Sequence, residues 1–255
     1  MSLQKDQANH FRALHVKGDP IILYNIWDAG SAKTVARAGA KALATGSAPV
    51  AMANGFKDGE ELSLDFAIEN IKRIIKSVDL PVTMDIESGY GEAPHEVEAT
   101  MEKVLSAGVV GVNFEDQIVK GNSLYSIPEQ CKRIKGLLKA CETAHVPAFI
   151  NARTDIFLKA AKDTHTEQMI NEAIERAKAY EQTGASGFFV PGLKDESLIA
   201  KLCQAINLPV NIMGRESALT KERLNELGVA RISFGPEPFL KVQAALAELA
   251  KEKLS

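Results

Sequence analysis

The sequence predicts a (β/α)₈ TIM-type barrel with an additional helix at each end, and three observations carry that prediction. Short β-branched or apolar runs begin near Ile21, Ala42, Val82, Val109, Ala148, Gly187, Val210 and Ala230, and helical stretches lie between most of them. These runs are almost continuously apolar rather than alternating, as parallel strands covered on both faces require. The length, 255 residues, suits a single barrel. A doubly wound open sheet is the competing architecture, but no G-x-G-x-x-G follows the first run and the eight-fold count is complete. No linker or low-complexity stretch interrupts residues 1–255, which therefore read as one domain.

In chain order, residues 3–16 read as an amphipathic helix ahead of the first strand. Helices are expected over 31–38, 64–77, 94–107, 128–144, 166–183, 196–205 and 220–227, and a last one over 236–253. Gly39, Gly108, Gly184 and Gly228 stand where helices should stop, and Pro81, Pro147 and Pro209 stand just before strands. Two connections that follow strands are long and polar, 48–63 and 117–127. In a barrel both lie on the C-terminal face, where they are candidate lids.

Composition narrows the function classes. A net charge of −3 and 45% hydrophobic residues describe an ordinary globular protein and suggest neither nucleic acid nor an anionic membrane as a partner. The first residues carry no apolar signal core, and no run approaches the length of a membrane span. Cys131, Cys141 and Cys203 have no metal-ligand spacing and do not form an even set, so a reducing cytosol is expected, with the cysteines buried as small hydrophobes.

Barrel logic brings the polar residues at strand C-termini to one pocket. Asp85 and Glu87, two apart at the end of the third strand, should project to one side if the chain stays extended. With Glu115 from the fourth strand they form an oxygen-rich site suited to a hard cation such as Mg²⁺. Arg153 from the fifth strand is placed to grip a carboxylate or phosphonate. Thr45, Gly46 and Ser47 should offer hydroxyl and backbone donors, and strand seven carries Asn211. This set suits a small 2-oxo acid dianion. Asp116 reads as structural, Asp155 as a cap for the next segment, and Trp27 as packing. The 233–235 turn reads either as a cap or as a phosphate site at a helix N-terminus. The five histidines lie away from strand tips, and no lysine ends a strand, which weighs against histidine-base and Schiff-base chemistry.

Five motifs in order carry a family resemblance: Asn25-x-Trp-Asp-Ala-Gly-Ser-Ala32, Asp85-x-Glu-x-Gly-Tyr-Gly91, Gly111-Val-Asn-Phe-Glu-Asp116, Asn151-Ala-Arg-Thr-Asp155 and Arg231-Ile-Ser-Phe-Gly235. Together they resemble the isocitrate lyase and phosphoenolpyruvate mutase superfamily over about residues 10–245. The resemblance implies a Mg²⁺-dependent barrel enzyme, with Mn²⁺ as a substitute ion, that makes or breaks a C–C or P–C bond beside a 2-oxo acid through a metal-stabilised enolate. It also implies a homotetramer, or a dimer, that exchanges the last helix between subunits. By position it implies that Asp85 binds the metal directly and that Glu87, Glu115 and Asp58 act through metal-bound waters. Thr45, Gly46 and Ser47 would hold the substrate's carboxylate and oxo oxygens, Arg153 its other end, and Asn211 would add a contact.

Two departures bear on the reaction. The lyases carry a Lys-Lys/Arg-Cys-Gly-His loop after the strand-four acid, but residues 119–124 here read Val-Lys-Gly-Asn-Ser-Leu. That segment resembles the mutases' gating loop, in which Lys120 and Asn122 would close over a phosphoryl group. Strand six ends Phe189-Val-Pro-Gly192, where mutases place a histidine and lyases a glutamate. Mutase-like or phosphonopyruvate hydrolase-like chemistry is favoured, with oxaloacetate hydrolysis or decarboxylation and (methyl)isocitrate-type cleavage as alternatives. A non-catalytic barrel that binds a 2-oxo acid is the rival from another class. A sugar-phosphate isomerase barrel, with phosphate at 233–235 and no metal, is a third reading.

Overall fold

The computed structural model describes residues 3–121, 123–161, 164–214 and 219–254. The chain opens with α1 (Leu3–Ala13), β1 (Ile21–Leu23), α2 (Ala29–Arg37), β2 (Leu43–Ala44), α3 (Ser47–Ala53) and α4 (Leu64–Lys76). It continues through β3 (Val82–Asp85), α5 (Pro94–Ser106), β4 (Gly111–Glu115), α6 (Ile127–Ala144), β5 (Phe149–Arg153) and α7 (Ile156–Lys159). The last third holds α8 (Glu167–Thr183), β6 (Gly187–Phe189), α9 (Glu196–Ala205), β7 (Val210–Met213), α10 (Lys221–Glu226), β8 (Arg231–Ser233) and α11 (Glu237–Leu254).

All pairings between the eight strands are parallel, in the order β1-β8-β7-β6-β5-β4-β3-β2. The circle closes just past β1, where Ile26 N–H donates to Ala44 O at 2.9 Å and Gly46 N–H returns to Ile26 O at 3.3 Å. This is the expected (β/α)₈ barrel. Its wall is apolar because strand residues such as Val82, Val112, Ile150 and Val210 are buried against the helix ring. Side-chain caps start the helices: Ser63 accepts from Phe66 N–H, Thr166 from Met169 N–H and Asp195 from Leu198 N–H. At the other end Gly184, at φ 112°, stops α8 in the left-handed region.

Two expectations about connections change. The 48–63 stretch is not simply a polar loop, because Ser47–Ala53 forms α3, with Pro49 in the first turn, where its missing N–H costs nothing. A further short helix, α7, follows β5. Trp27 packs edge-on against Phe239, with ring centroids 5.2 Å apart, and this anchors the first turn of α11. Cys141 and Cys203 are buried, and Cys131 is half-buried with its Sγ toward Ala179 O. Among the described residues no helix is long and apolar enough to cross a membrane.

Candidate active site

The strand ends β2 to β5 set the site. Asp85 closes β3, and its N–H donates to Thr45 Oγ1 at 3.0 Å. Asp85 Oδ1 accepts from Glu87 N–H at 3.0 Å, and its Oδ2 accepts from Asn113 Nδ2 at 3.3 Å. Asn113 lies two residues before Glu115 on β4, and strand alternation turns both into the barrel. The Asn113 Oδ1 also receives Asn151 Nδ2 at 2.9 Å and Arg231 Nη2 at 3.1 Å, so Asp85 rests on a buried polar layer. Asn113 stands among the polar residues at the end of strand four, and period-two counting back from Glu115 gives it the inward face and hence this supporting role.

Glu87 departs from expectation. The strand ends at Asp85, and Glu87 sits at φ 50°, a left-handed conformation that ends the alternation. Its carboxylate turns toward the connection after α3, where Oε2 accepts Gly59 N–H at 2.7 Å and Glu60 N–H at 2.8 Å. Glu115 Oε2 meets Arg153 Nη1 at 2.8 Å, and its Oε1 accepts Gln117 Nε2 at 3.1 Å.

Arg153 is held on both sides. Asp155 takes Nε at 2.6 Å and Nη2 at 3.0 Å, so Asp155 is an ion-pair partner of Arg153 and makes no side-chain cap for α7. Asp116 is structural, as expected. It is fully buried and accepts from Arg176, from the Tyr180 hydroxyl and from Asp155 N–H.

The amide donors expected at β2 are already engaged. Thr45 N–H donates to Thr83 O, and Gly46 N–H closes the barrel on Ile26. The Thr45 and Ser47 side chains line a small cavity with Asp85, Glu87 and Tyr90. Gly46 is required for packing, since a Cβ there would meet Pro49 Cγ at 2.9 Å. Asn211 is buried in the barrel interior, with its amide on Ser233 Oγ at 3.1 Å. The 233–235 turn holds no phosphate site, because Phe234 N–H and Gly235 N–H both donate to Asn25 Oδ1 at 2.8 and 2.9 Å. Lys120 is exposed on a hairpin pinned by the Gln117–Leu124 bridge, and it lines a polar cavity with Glu60, Tyr90 and Tyr125. Asn122 lies outside the described residues.

Asp85, Glu115 and Asp155 thus crowd around one guanidinium, and Glu87 and Asp58 lie on the far side of Asp85, close enough to act on its charge. Burial pushes the Asp85 carboxyl above its usual range, against the pull of Arg153. Burial, then Asp58 and Asp85, push Glu87 up to about 8. Burial also drives Glu115 well above its ordinary value, although Arg153 opposes the shift. Among the described residues no three Asp, Glu, His or Cys side chains converge on one ion. The donor chemistry nevertheless fits a hard divalent cation, whose charge would favour the ionised form of these buried carboxyls: desolvated carboxyl oxygens in surplus, with Asp85 opening on the cavity.

A family model described as phosphoenolpyruvate phosphomutase matches residues 11–254. A crystal structure of a candidate phosphonomutase from Burkholderia cenocepacia J2315 superposes with a TM-score of 0.96 at 46% identity, covering 98% of this chain and 99% of that one. An uncharacterized protein of Mycobacterium tuberculosis (strain ATCC 25618 / H37Rv) is 31% identical, over 94% of this chain and 87% of its own length. The 2-methylisocitrate lyase of Escherichia coli (strain K12) is 26% identical, over 92% of this chain and 80% of the lyase.

Proposed function

This chain belongs to the phosphoenolpyruvate phosphomutase family, and we propose that it is a Mg²⁺-dependent enzyme that cleaves or rearranges the C–C or P–C bond beside a small 2-oxo acid. The observation that carries this reading is the surplus of desolvated carboxylate around Asp85, next to the Thr45 and Ser47 side chains. Asp85 would hold the ion directly, and Glu87, Glu115 and Asp58 would reach it through bound water. When bound, the ion would supply Lewis-acid stabilisation of the negative charge that develops on the substrate's oxygens.

The chain's own residues orient the substrate. The Thr45 hydroxyl already accepts the Asp85 N–H, which leaves its proton to donate to a substrate oxygen. Arg153 is pre-positioned between Glu115 and Asp155, and an incoming anion would compete with Glu115 for its Nη1. Lys120, and Asn122 with it, would close over the distal substituent.

P–C chemistry is the favoured form, supported by the Lys120-Gly-Asn122 loop and by the likeness to the candidate phosphonomutase. C–C cleavage is the second form, supported by the likeness to 2-methylisocitrate lyase. Against a lyase cysteine, Cys131 faces α8 rather than the site. The test is a proton and phosphorus NMR screen with Mg²⁺ and phosphonopyruvate, oxaloacetate, isocitrate or methylisocitrate. Conversion of phosphonopyruvate is expected. Turnover of isocitrate or methylisocitrate alone would overturn the loop reading, and tight calorimetric binding without turnover would favour a non-catalytic binding barrel.

We also propose that α11 is exchanged between subunits of a homotetramer or dimer. Only Pro238 and Phe239 of this helix are buried, while Leu240, Val242, Leu246 and Leu249 are 50–62% exposed. The outer face of β1 forms an apolar groove with α2, where Ile22 and Tyr24 stay about 40% exposed. Light scattering of Leu246→Lys should show a smaller assembly than wild type; a wild-type monomer would refute the exchange.

A further inference from the structure

The connection between α3 and α4 carries Asp58, Gly59 and Glu60, and the turn after β3 carries Glu87, Ser88 and Tyr90. Hydrogen bonds tie these two segments in both directions. The Glu87 carboxylate accepts Gly59 N–H and Glu60 N–H, and the Glu60 carboxylate reaches back to accept Tyr90 N–H at 2.9 Å. The described non-glycine residues with left-handed backbone are Glu60, Glu87, Tyr90 and His145, so all but one belong to this contact. Each such position is held against its own preference and persists only where the surroundings impose it. The turn itself is braced from beneath. Arg133 of α6 donates to Ser88 O, Gly91 O and Glu92 O, and its guanidinium lies 3.9 Å from the Tyr125 ring centre. Ser88 Oγ in turn donates to Gln117 O at 2.6 Å, which fixes the second lid to the same turn.

We propose that Glu60 and Glu87 form a reciprocal clasp that fixes the 54–63 segment over the site and so positions Asp58 against Asp85. Glu87 and Glu60 are positioning residues in this role, and the clasp rests on the reading of this face as an active site. Glutamate at position 87 matters for its reach: aspartate would bring the carboxylate about 1.5 Å short, outside hydrogen-bond range of both amides.

Hydrogen exchange on the full-length protein, without substrate, reads the clasp directly. In wild type the Gly59, Glu60 and Tyr90 amides should be protected. Glu87→Asp keeps the carboxyl group and should speed exchange at Gly59 and Glu60 by about tenfold or more, equivalent to about 1.4 kcal/mol or more. Glu60→Ala should expose the Tyr90 amide, and Glu60→Gln, whose Oε1 still accepts, should restore its protection. On whichever acid the NMR screen identifies, Glu60→Ala should lower kcat more than it raises KM. Wild-type exchange rates in folded Glu60→Ala or Glu87→Asp would overturn the clasp. Because exchange needs no substrate, an inactive protein with a protected clasp would refute only the catalytic reading.

Discussion

At the N-terminal end of the barrel, His15 stacks on Phe149 at 4.0 Å, Phe11 meets the same ring edge-on at 5.7 Å, and Gln4 closes the carbonyls of Leu105 and Val109. His15 is buried and kept neutral, with burial, and then Arg231, pushing it down to about 3. At the C-terminal end the same strands finish in Asp85, Glu115 and Arg153, beside backbone in left-handed geometry at Glu60, Glu87 and Tyr90. One end uses burial to favour neutral, packed groups. The other holds charges and strained backbone that the rest of the barrel must stabilise. Separating the two lets chemistry change at one end without unfolding the other.

The largest effect that would test this division is at Asp85. Replacing it with asparagine should cost at least about 10³-fold in turnover while leaving urea stability equal or higher, since a desolvated carboxylate is removed. A large loss of stability would break the comparison. At the opposite end, Phe149→Ala should cost about 3–5 kcal/mol in urea unfolding with activity per folded molecule retained.

The pH dependence of melting should carry opposite signs from the two ends. The unfolded chain protonates His15 near 6.5 and the folded chain only near 3, so this contribution is complete above pH 6.5 and is lost as pH falls toward 3. Folded Glu87 keeps its proton up to about 8 while the unfolded chain releases it near 4.5, so metal-free protein loses stability as pH rises across that window. Each limb amounts to at most about 1.4 kcal/mol per pH unit. His15→Leu should flatten the acid limb and Glu87→Gln the other, read by calorimetry without metal. The smallest effect is at Lys120, where alanine should shift stability by under about 0.5 kcal/mol yet raise KM about tenfold.

Much of the barrel was legible because its signals are local. Apolar runs, glycine stops and polar caps each act within a few residues, and each strand begins within two residues of the start read from the sequence. The site was legible as a set of residue types and less so as contacts. Alternation predicted one face for Asp85 and Glu87, but the chain leaves the strand between them. Asp155 looked like a cap and is instead the partner of Arg153, since a buried guanidinium outcompetes a helix amide for a carboxylate. The 48–53 stretch carries no helix signal of its own, because a lone turn-length apolar segment with proline has weak periodicity, and packing against the barrel decides it.

The sequence by itself determined the eight-fold alternation, the acid-rich strand tips and the family motifs, because these depend on residue identity and short spacing. Tertiary structure alone decided which polar groups remain free to act. Asn25 takes the amides of a turn 209 and 210 residues away, Glu87 takes those of a segment 28 and 27 residues before it, and Thr45 and Gly46 spend theirs on neighbouring strands. A hydrogen bond is satisfied by whatever the fold brings within about 3 Å, and sequence distance has no bearing on that.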